Sequence, residues 1–164
     1  MLERLFPSTF DNQYRGYRLA LWLFILITFV NTGISLVAIL RPDGGAQSAD
    51  GIPLSSYSPA AAQAVIGVIA FLGLSNLVLC MINVLALFRY RSMIPLLYAF
   101  AAIIFLGHKW IGAMKPIVRV ASASPSGFVN LSLFAITLLG LALSLMGARY
   151  DMRSEAPAGL VDAA

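Results

Sequence analysis

The sequence predicts an all-α membrane protein: an antiparallel bundle of four transmembrane helices, with an amphipathic helix lying in the membrane interface ahead of them. Three observations predict it. Hydrophobic residues fill 60% of the 164 positions and charged residues only 11%, whereas a soluble domain carries about 25% charge. The apolar residues fall in four long runs, and a hydrocarbon core about 30 Å thick needs about 20 helical residues to cross. The charges gather between and beside those runs, as topology signals do. So small a chain would have to cover a soluble core with polar surface that this composition does not supply. In lipid each backbone polar group must be satisfied within its own segment, which makes the runs helices. Barrel strands would alternate polar and apolar over about ten residues, and these runs do not alternate.

The elements follow in order within one membrane domain. Over about 7–18, Phe6, Phe10, Tyr14 and Tyr17 recur at helical spacing, Pro7 suits a first helical position, and Asp11 with Arg15 stands at i, i+4. This reads as an interfacial helix whose aromatic face is either an ordinary membrane belt or a docking surface for a partner. The first span covers 19–40 without a charge. It is too long for the apolar region of a signal peptide, about 7–15 residues, so it reads as a retained span. The second covers 60–88, longer than one bilayer thickness, so it tilts or extends beyond the membrane. The third, 93–114, is uninterrupted only to Leu106. To cross, it must carry His108 and Lys109 into one interface, where lysine snorkels and Trp110 anchors. A re-entrant segment is the alternative. The fourth covers 128–148, uncharged.

The link between spans two and three is only 89–92, which makes those spans neighbours. The loop 41–60 is rich in Gly, Pro and Ser and reads as irregular. Loop 115–126 contains an IVRV stretch, 117–120, able to pair as a short strand, and the tail 149–164 reads as mobile. Four spans put both ends on one side. Arg4, Arg15, Arg18, Arg89, Arg91, Arg149 and Arg153 lie there, against Arg41, Lys109, Lys115 and Arg119 opposite. That imbalance puts both termini in the cytoplasm, with a bacterial inner membrane as the expected location.

The charge pattern also bears on function. No basic run or stripe exists to track phosphates, so the net charge of +4 does not indicate nucleic acid. The single cysteine, Cys80, excludes an intramolecular disulfide. One histidine and one cysteine exclude a bis-histidine haem within the chain and a four-ligand zinc site of His and Cys. Every carboxylate lies in a terminal segment or in the first loop, which argues against a proton-coupled carrier. No nucleophile–base–acid set or phosphate-binding, metalloprotease or dithiol motif occurs. The sequence therefore yields no catalytic residue and no metal ligand.

Four groups of residues remain as candidates. Thr28, Asn31, Thr32 and Ser35 share a face of span one; Gly73, Asn76, Cys80 and Asn83 share one in span two; Thr137, Gly140, Ser144 and Gly147 share one in span four. Such faces mark helix packing or an oligomer interface, or else a polar pathway lined by Asn31, Asn76 and Asn83. His108, Lys109 and Trp110 suggest a site for a lipid headgroup or an anionic cofactor. Arg89, Arg91 and Lys115 suit lipid phosphates. The aromatic residues Phe6, Phe10, Tyr14 and Tyr17 form the candidate docking surface. The expectation is a small structural or accessory subunit of a membrane complex or homo-oligomer. The expected partners are the lipid bilayer and either other membrane proteins or further copies of the chain; bound lipid is the one cofactor candidate. Two alternatives are a transporter or channel for a small neutral or lipid-like solute, and a lipid- or cofactor-binding protein using His108 and Lys109.

Overall fold

The structure is a computed structural model and describes residues 5–6, 11–119 and 125–146. Among them it is helical, without strands, and four helices are long and apolar enough to cross a membrane. They are α1 (Arg18–Leu40), α2 (Pro59–Arg89), α3 (Ile94–Met114) and α4 (Pro125–Met146). Short 3-10 turns occupy Leu54–Ser56 and Arg91–Met93.

The starts of α2 and α3 have local causes. Ser58 caps α2, its hydroxyl accepting from the Ala61 N–H at 3.3 Å, and Pro59 takes the first helical position, where a missing N–H is harmless. The 31 residues of α2 reach about 46 Å, more than a bilayer core. In α3, Pro95 sits in the first turn and is buried. The helix then runs unbroken through Gly107, His108 and Lys109 for 21 residues, about 31 Å.

The expected interfacial helix is absent from residues 11–17, which are irregular, and α1 begins only at Arg18. Tertiary partners take the backbone groups a helix would have used. Ser92 accepts from the Asp11 N–H at 3.0 Å and donates back to the Asp11 carbonyl at 3.0 Å. The Tyr17 N–H reaches the Leu143 carbonyl, and the Asp11 carboxylate accepts from the Gln13 N–H at 3.2 Å. Positions 7–10, including Pro7 and Phe10, lie outside the described residues. So do Gly147, Arg4, Arg149, Arg153 and the whole tail 149–164. In the loop after α3, 117–119 form no strand and Val120 is again outside the described residues.

The helices pack as a row. α2 lies on α1, α1 on α4, and α4 on α3; α2 and α3, consecutive in the chain, touch sparsely. This corrects the expectation from their short link. The reason is which faces fit. Gly73 of α2 is buried against α1, where a Cβ would fall 2.7 Å from that of Ala38 and 3.2 Å from the Ser35 carbonyl oxygen. Gly140 of α4 is buried under Tyr98 of α3, where a Cβ would meet the phenol ring. These two glycines bring α2 to α1 and α3 to α4, not α2 to α3.

The main core lies where the start of α1, the start of α3 and the end of α4 meet. Ala20, Phe24, Ile27, Ile94, Tyr98 and Leu133 are buried there, with Leu87 of α2 against them. Tyr98 is its centre: fully buried, its ring edge-on to Phe24 at 5.1 Å, its hydroxyl donating to the Ala20 carbonyl at 2.6 Å.

A second, smaller core sits at the opposite end. The loop 41–58 has no regular element beyond its 3-10 turn, yet it folds tightly. Ala46, Ile52 and Leu54 are buried against Ala62, Val65, Ile66 and Ile69 of α2. The turn depends on Gly44, whose φ of +59° suits glycine and whose missing Cβ would lie 3.2 Å from Ile69. The Asp43 carboxylate ties the turn together, accepting from the Gly45 N–H at 3.1 Å and the Ser48 N–H at 3.0 Å, with Arg41 at 3.3 Å. The bond from the Ser48 side chain lowers its pKa most, helped by those N–H groups and Arg41, to about 2.

Candidate functional site

The polar residues of α1 and α2 meet along one seam. On α1, helical spacing lines up Thr28, Asn31, Ser35 and Ala38; on α2 it lines up Gly73, Asn76, Cys80 and Asn83. Asn76 bridges the helices, its amide donating to the Ser35 hydroxyl at 2.7 Å and more weakly to the Asn31 carbonyl at 3.5 Å. Ser35 in turn donates to the Asn31 carbonyl at 2.8 Å. The Asn76 amide and the Ser35 hydroxyl thus both find acceptors, and the bond between them joins α1 to α2 at this level.

Two helical turns along, the seam changes character. Thr28 is 3% exposed, and its hydroxyl oxygen is enclosed with no hydrogen-bond partner. Asn31 and Asn83 are half-buried, and their side-chain amides make no hydrogen bond among the described residues. Cys80, between them in height, is buried. Thr32 turns its hydroxyl back to the Thr28 carbonyl at 2.8 Å.

Of the small and polar residues of α4, Gly140 lies under Tyr98, as described, and Thr137 is buried with its hydroxyl spent on the Leu133 carbonyl at 2.7 Å. Ser144 is buried and accepts a hydrogen bond from the Tyr14 hydroxyl at 3.2 Å. Burial pushes the Tyr14 hydroxyl pKa up, and the bond to Ser144 draws it partly back. The aromatic residues thus do not share one face: Tyr14 turns into the molecule, while Tyr17 and Phe6 are exposed.

The remaining candidates are not brought together. His108, Lys109, Trp110 and Lys115 are all exposed, and their side chains make no hydrogen bond or ion pair among the described residues. The last ring contact between α3 and α4 precedes them, Phe105 against Phe134 at 5.9 Å. At the other end Arg89 is exposed, while the Arg91 guanidinium donates through Nε to the Leu87 carbonyl at 2.8 Å.

Sequence reasoning missed Tyr98, Ser92 and Gly16. A hydroxyl-bearing ring inside an apolar run was the available sign for Tyr98, since a buried tyrosine needs an acceptor. Gly16 leaves room for Tyr14: a Cβ there would lie 2.5 Å from the Tyr14 hydroxyl and 3.0 Å from Ser144 Cα. Ser92 carries no local sign, because its partner is 81 positions away.

No protein-family model matches the chain, and neither a curated protein nor a solved structure matches it.

Proposed function

We propose that the protein is a structural or accessory subunit of a membrane assembly, or a homo-oligomer of itself, rather than a catalyst. The observation that carries this reading is the open row of helices. Among the helices, α2 packs extensively only on α1, and the side chains of α3 from His108 to Met114 are exposed. Between them they leave large side chains such as Phe71, Met81, Phe88, Ile103 and Trp110 exposed. A self-sufficient bundle closes its helices around one core; this one leaves two helices open at their sides.

The reading includes an arrangement in the membrane. The helices run antiparallel, with both termini on the cytoplasmic face of a bacterial inner membrane. Contacts joining the starts of α1 and α3 to the end of α4 support the arrangement, and the basic residues near them support the side. Arg89, Arg91 and, opposite, Lys115 then meet lipid headgroups. A solute pathway along Asn31, Asn76 and Asn83 has less support, because Asn76 is spent on joining α1 to α2. A cofactor site at His108 and Lys109 also has less, since both stand exposed rather than around a pocket.

Extraction of native membranes into nanodiscs, followed by native mass spectrometry, tests the reading. The expected result is a defined oligomer or a stoichiometric complex with another membrane protein. A lone monomer carrying only lipid would overturn it.

A further inference from the structure

We propose that two copies of the chain associate through the open side between α2 and α3, with Lys115 of each facing Asp50 of the other. This pairing rests on the homo-oligomer reading above and gives it a contact. Exposed apolar residues alone do not decide it, since lipid covers Phe71 or Trp110 as well as protein would. Charge does: an unpaired carboxylate and an unpaired ammonium stand at one level of the molecule, and opposite charges fix partner and register across an interface.

The fold sets that level. α1 and α3 both start in the main core, where Phe24 and Tyr98 are in ring contact at 5.1 Å. Arg41, where α1 ends, follows Phe24 by 17 residues, and Lys115, where α3 ends, follows Tyr98 by 17. At 1.5 Å per residue each stands about 25 Å beyond the ring contact, at the same end of the molecule. Asp50 belongs to the loop after α1, and that loop is seated on α2: Ala46 and Ile52, on either side of Asp50, are buried against it. Backbone bonds hold Asp50 in place, its N–H donating to the Gly45 carbonyl at 3.1 Å and the Ile52 N–H to the Ala46 carbonyl at 2.9 Å. The carboxylate thus rides on α2, one edge of the row, and Lys115 ends α3, the other. Those helices are joined by the link 89–92 and touch sparsely, so both edges flank the same open side.

Within one chain the two charges stay apart. Arg41 and Asp43 pair with each other at 3.3 Å, but neither the Asp50 nor the Lys115 side chain makes a hydrogen bond or ion pair among the described residues. Lys109 lies on another side of α3, four residues after Phe105, which meets Phe134 of α4. Lys115 instead continues the face of Ile104, His108 and Ile111, all exposed. On α2, Val68 and Leu72 offer an exposed apolar face beside the seated loop. The chain therefore carries both halves of a pair that it does not close itself. A second copy turned about a two-fold axis closes both pairs at once, whereas head-to-tail addition leaves one Asp50 and one Lys115 open at the ends unless it forms a ring. A lone chain leaves Lys115 to lipid phosphates; in the dimer the Asp50 carboxylate takes their place.

The test uses the full chain in phosphatidylcholine liposomes, with energy transfer between donor- and acceptor-tagged copies followed as added lipid dilutes them. The unaltered chain is expected to dimerise. Asp50→Lys and Lys115→Asp each set like charges together at both contacts, and each is expected to weaken the dimer about tenfold. An equal mixture of the two variants, one carrying the donor and the other the acceptor, is expected to recover the affinity, because both contacts again join opposite charges. A pair formed inside one chain would not be recovered by mixing. Asp50→Asn and Lys115→Gln keep the size and remove only the charge; each is expected to weaken the dimer about threefold, and they decide the matter should a reversal fail to fold. A dimer indifferent to these charges overturns the proposal and leaves the homo-oligomer reading standing. A chain that is monomeric here but bound to another protein in native membranes overturns the proposal and leaves the accessory-subunit reading standing. A chain that is monomeric in both overturns the two together.

Discussion

The two ends of α3 belong to one helix and have opposite surroundings. At its start Ile94, Pro95 and Tyr98 are buried, and Ser92 just before it clasps Asp11 by two hydrogen bonds at 3.0 Å. At its other end His108, Lys109, Trp110, Ile111 and Met114 are exposed. Apolar residues are plentiful at both ends, so hydropathy does not separate them. The difference lies in what faces them: a glycine on α4 and a backbone carbonyl on α1 receive Tyr98, and nothing comparable receives Trp110. Apolarity puts a helix in the membrane, whereas small residues and placed acceptors decide where it meets protein.

The largest effect should come from filling the space under Tyr98. Gly140→Ala puts a methyl group against a ring that is fully buried and has nowhere to move. A loss of about 3 kcal/mol is expected, the upper end for overpacking, read by reversible denaturation in mixed micelles. Gly107→Ala, in the bare half of α3, meets nothing within 4 Å. It should be neutral or stabilise by up to about 1 kcal/mol. Equal costs at the two glycines would erase the contrast between the ends.

Next comes the loop 41–58, whose small core depends on Asp43. Asp43→Ala should cost about 1–2 kcal/mol, because it leaves the N–H of buried Gly45 without its acceptor and removes the bond from the Ser48 N–H. The pH dependence has a definite sign. A carboxyl held at about 2, below its ordinary 3.8, adds stability above the ordinary value and loses it as pH falls through about 2. Relative to pepsin's own rate on an unstructured peptide at each pH, cleavage within 41–58 should therefore be slow at pH 4 and rise as pH falls towards 2. Asp43→Asn should remove that step.

A smaller effect is expected at the clasp. Ser92→Ala removes one hydroxyl that both donates and accepts, at about 1 kcal/mol. Hydrogen exchange should then quicken at residues 11–17 while α3 beyond Phe105 is unchanged. The smallest effect belongs to His108→Ala, within about 0.5 kcal/mol, as for a surface substitution.

Much of the fold was legible in the sequence, and the reason is local. Uncharged runs of about 20 residues mark spans whatever their neighbours do. Even the third, interrupted by His108 and Lys109, is one continuous helix. The N-terminal segment shows the opposite case. Its helical spacing is genuine, and Asp11 and Arg15 do come to 3.8 Å, but without a helix. Bonds to Ser92 and, 130 positions away, Ser144 outcompete the local pattern. The link 89–92 misled in the same way, since a short turn joins helix ends and does not make the helices pack along their length. Of the seam, the residues were legible but their division was not. Asn76 and Asn83 look alike in sequence, and only the register shows that one is satisfied and the other is not.

The central claim is that the open side of the row, above all the bare half of α3, meets another protein chain. Cysteine cross-linking in native membranes tests it most directly. In a Cys80→Ala background, Ile111→Cys should form a disulfide-linked dimer or a cross-linked adduct of one defined mass. Leu97→Cys, in the packed half, should give neither. If Ile111→Cys stays monomeric and reacts only with lipid-soluble maleimide, the bare half of α3 faces lipid alone and the claim is wrong.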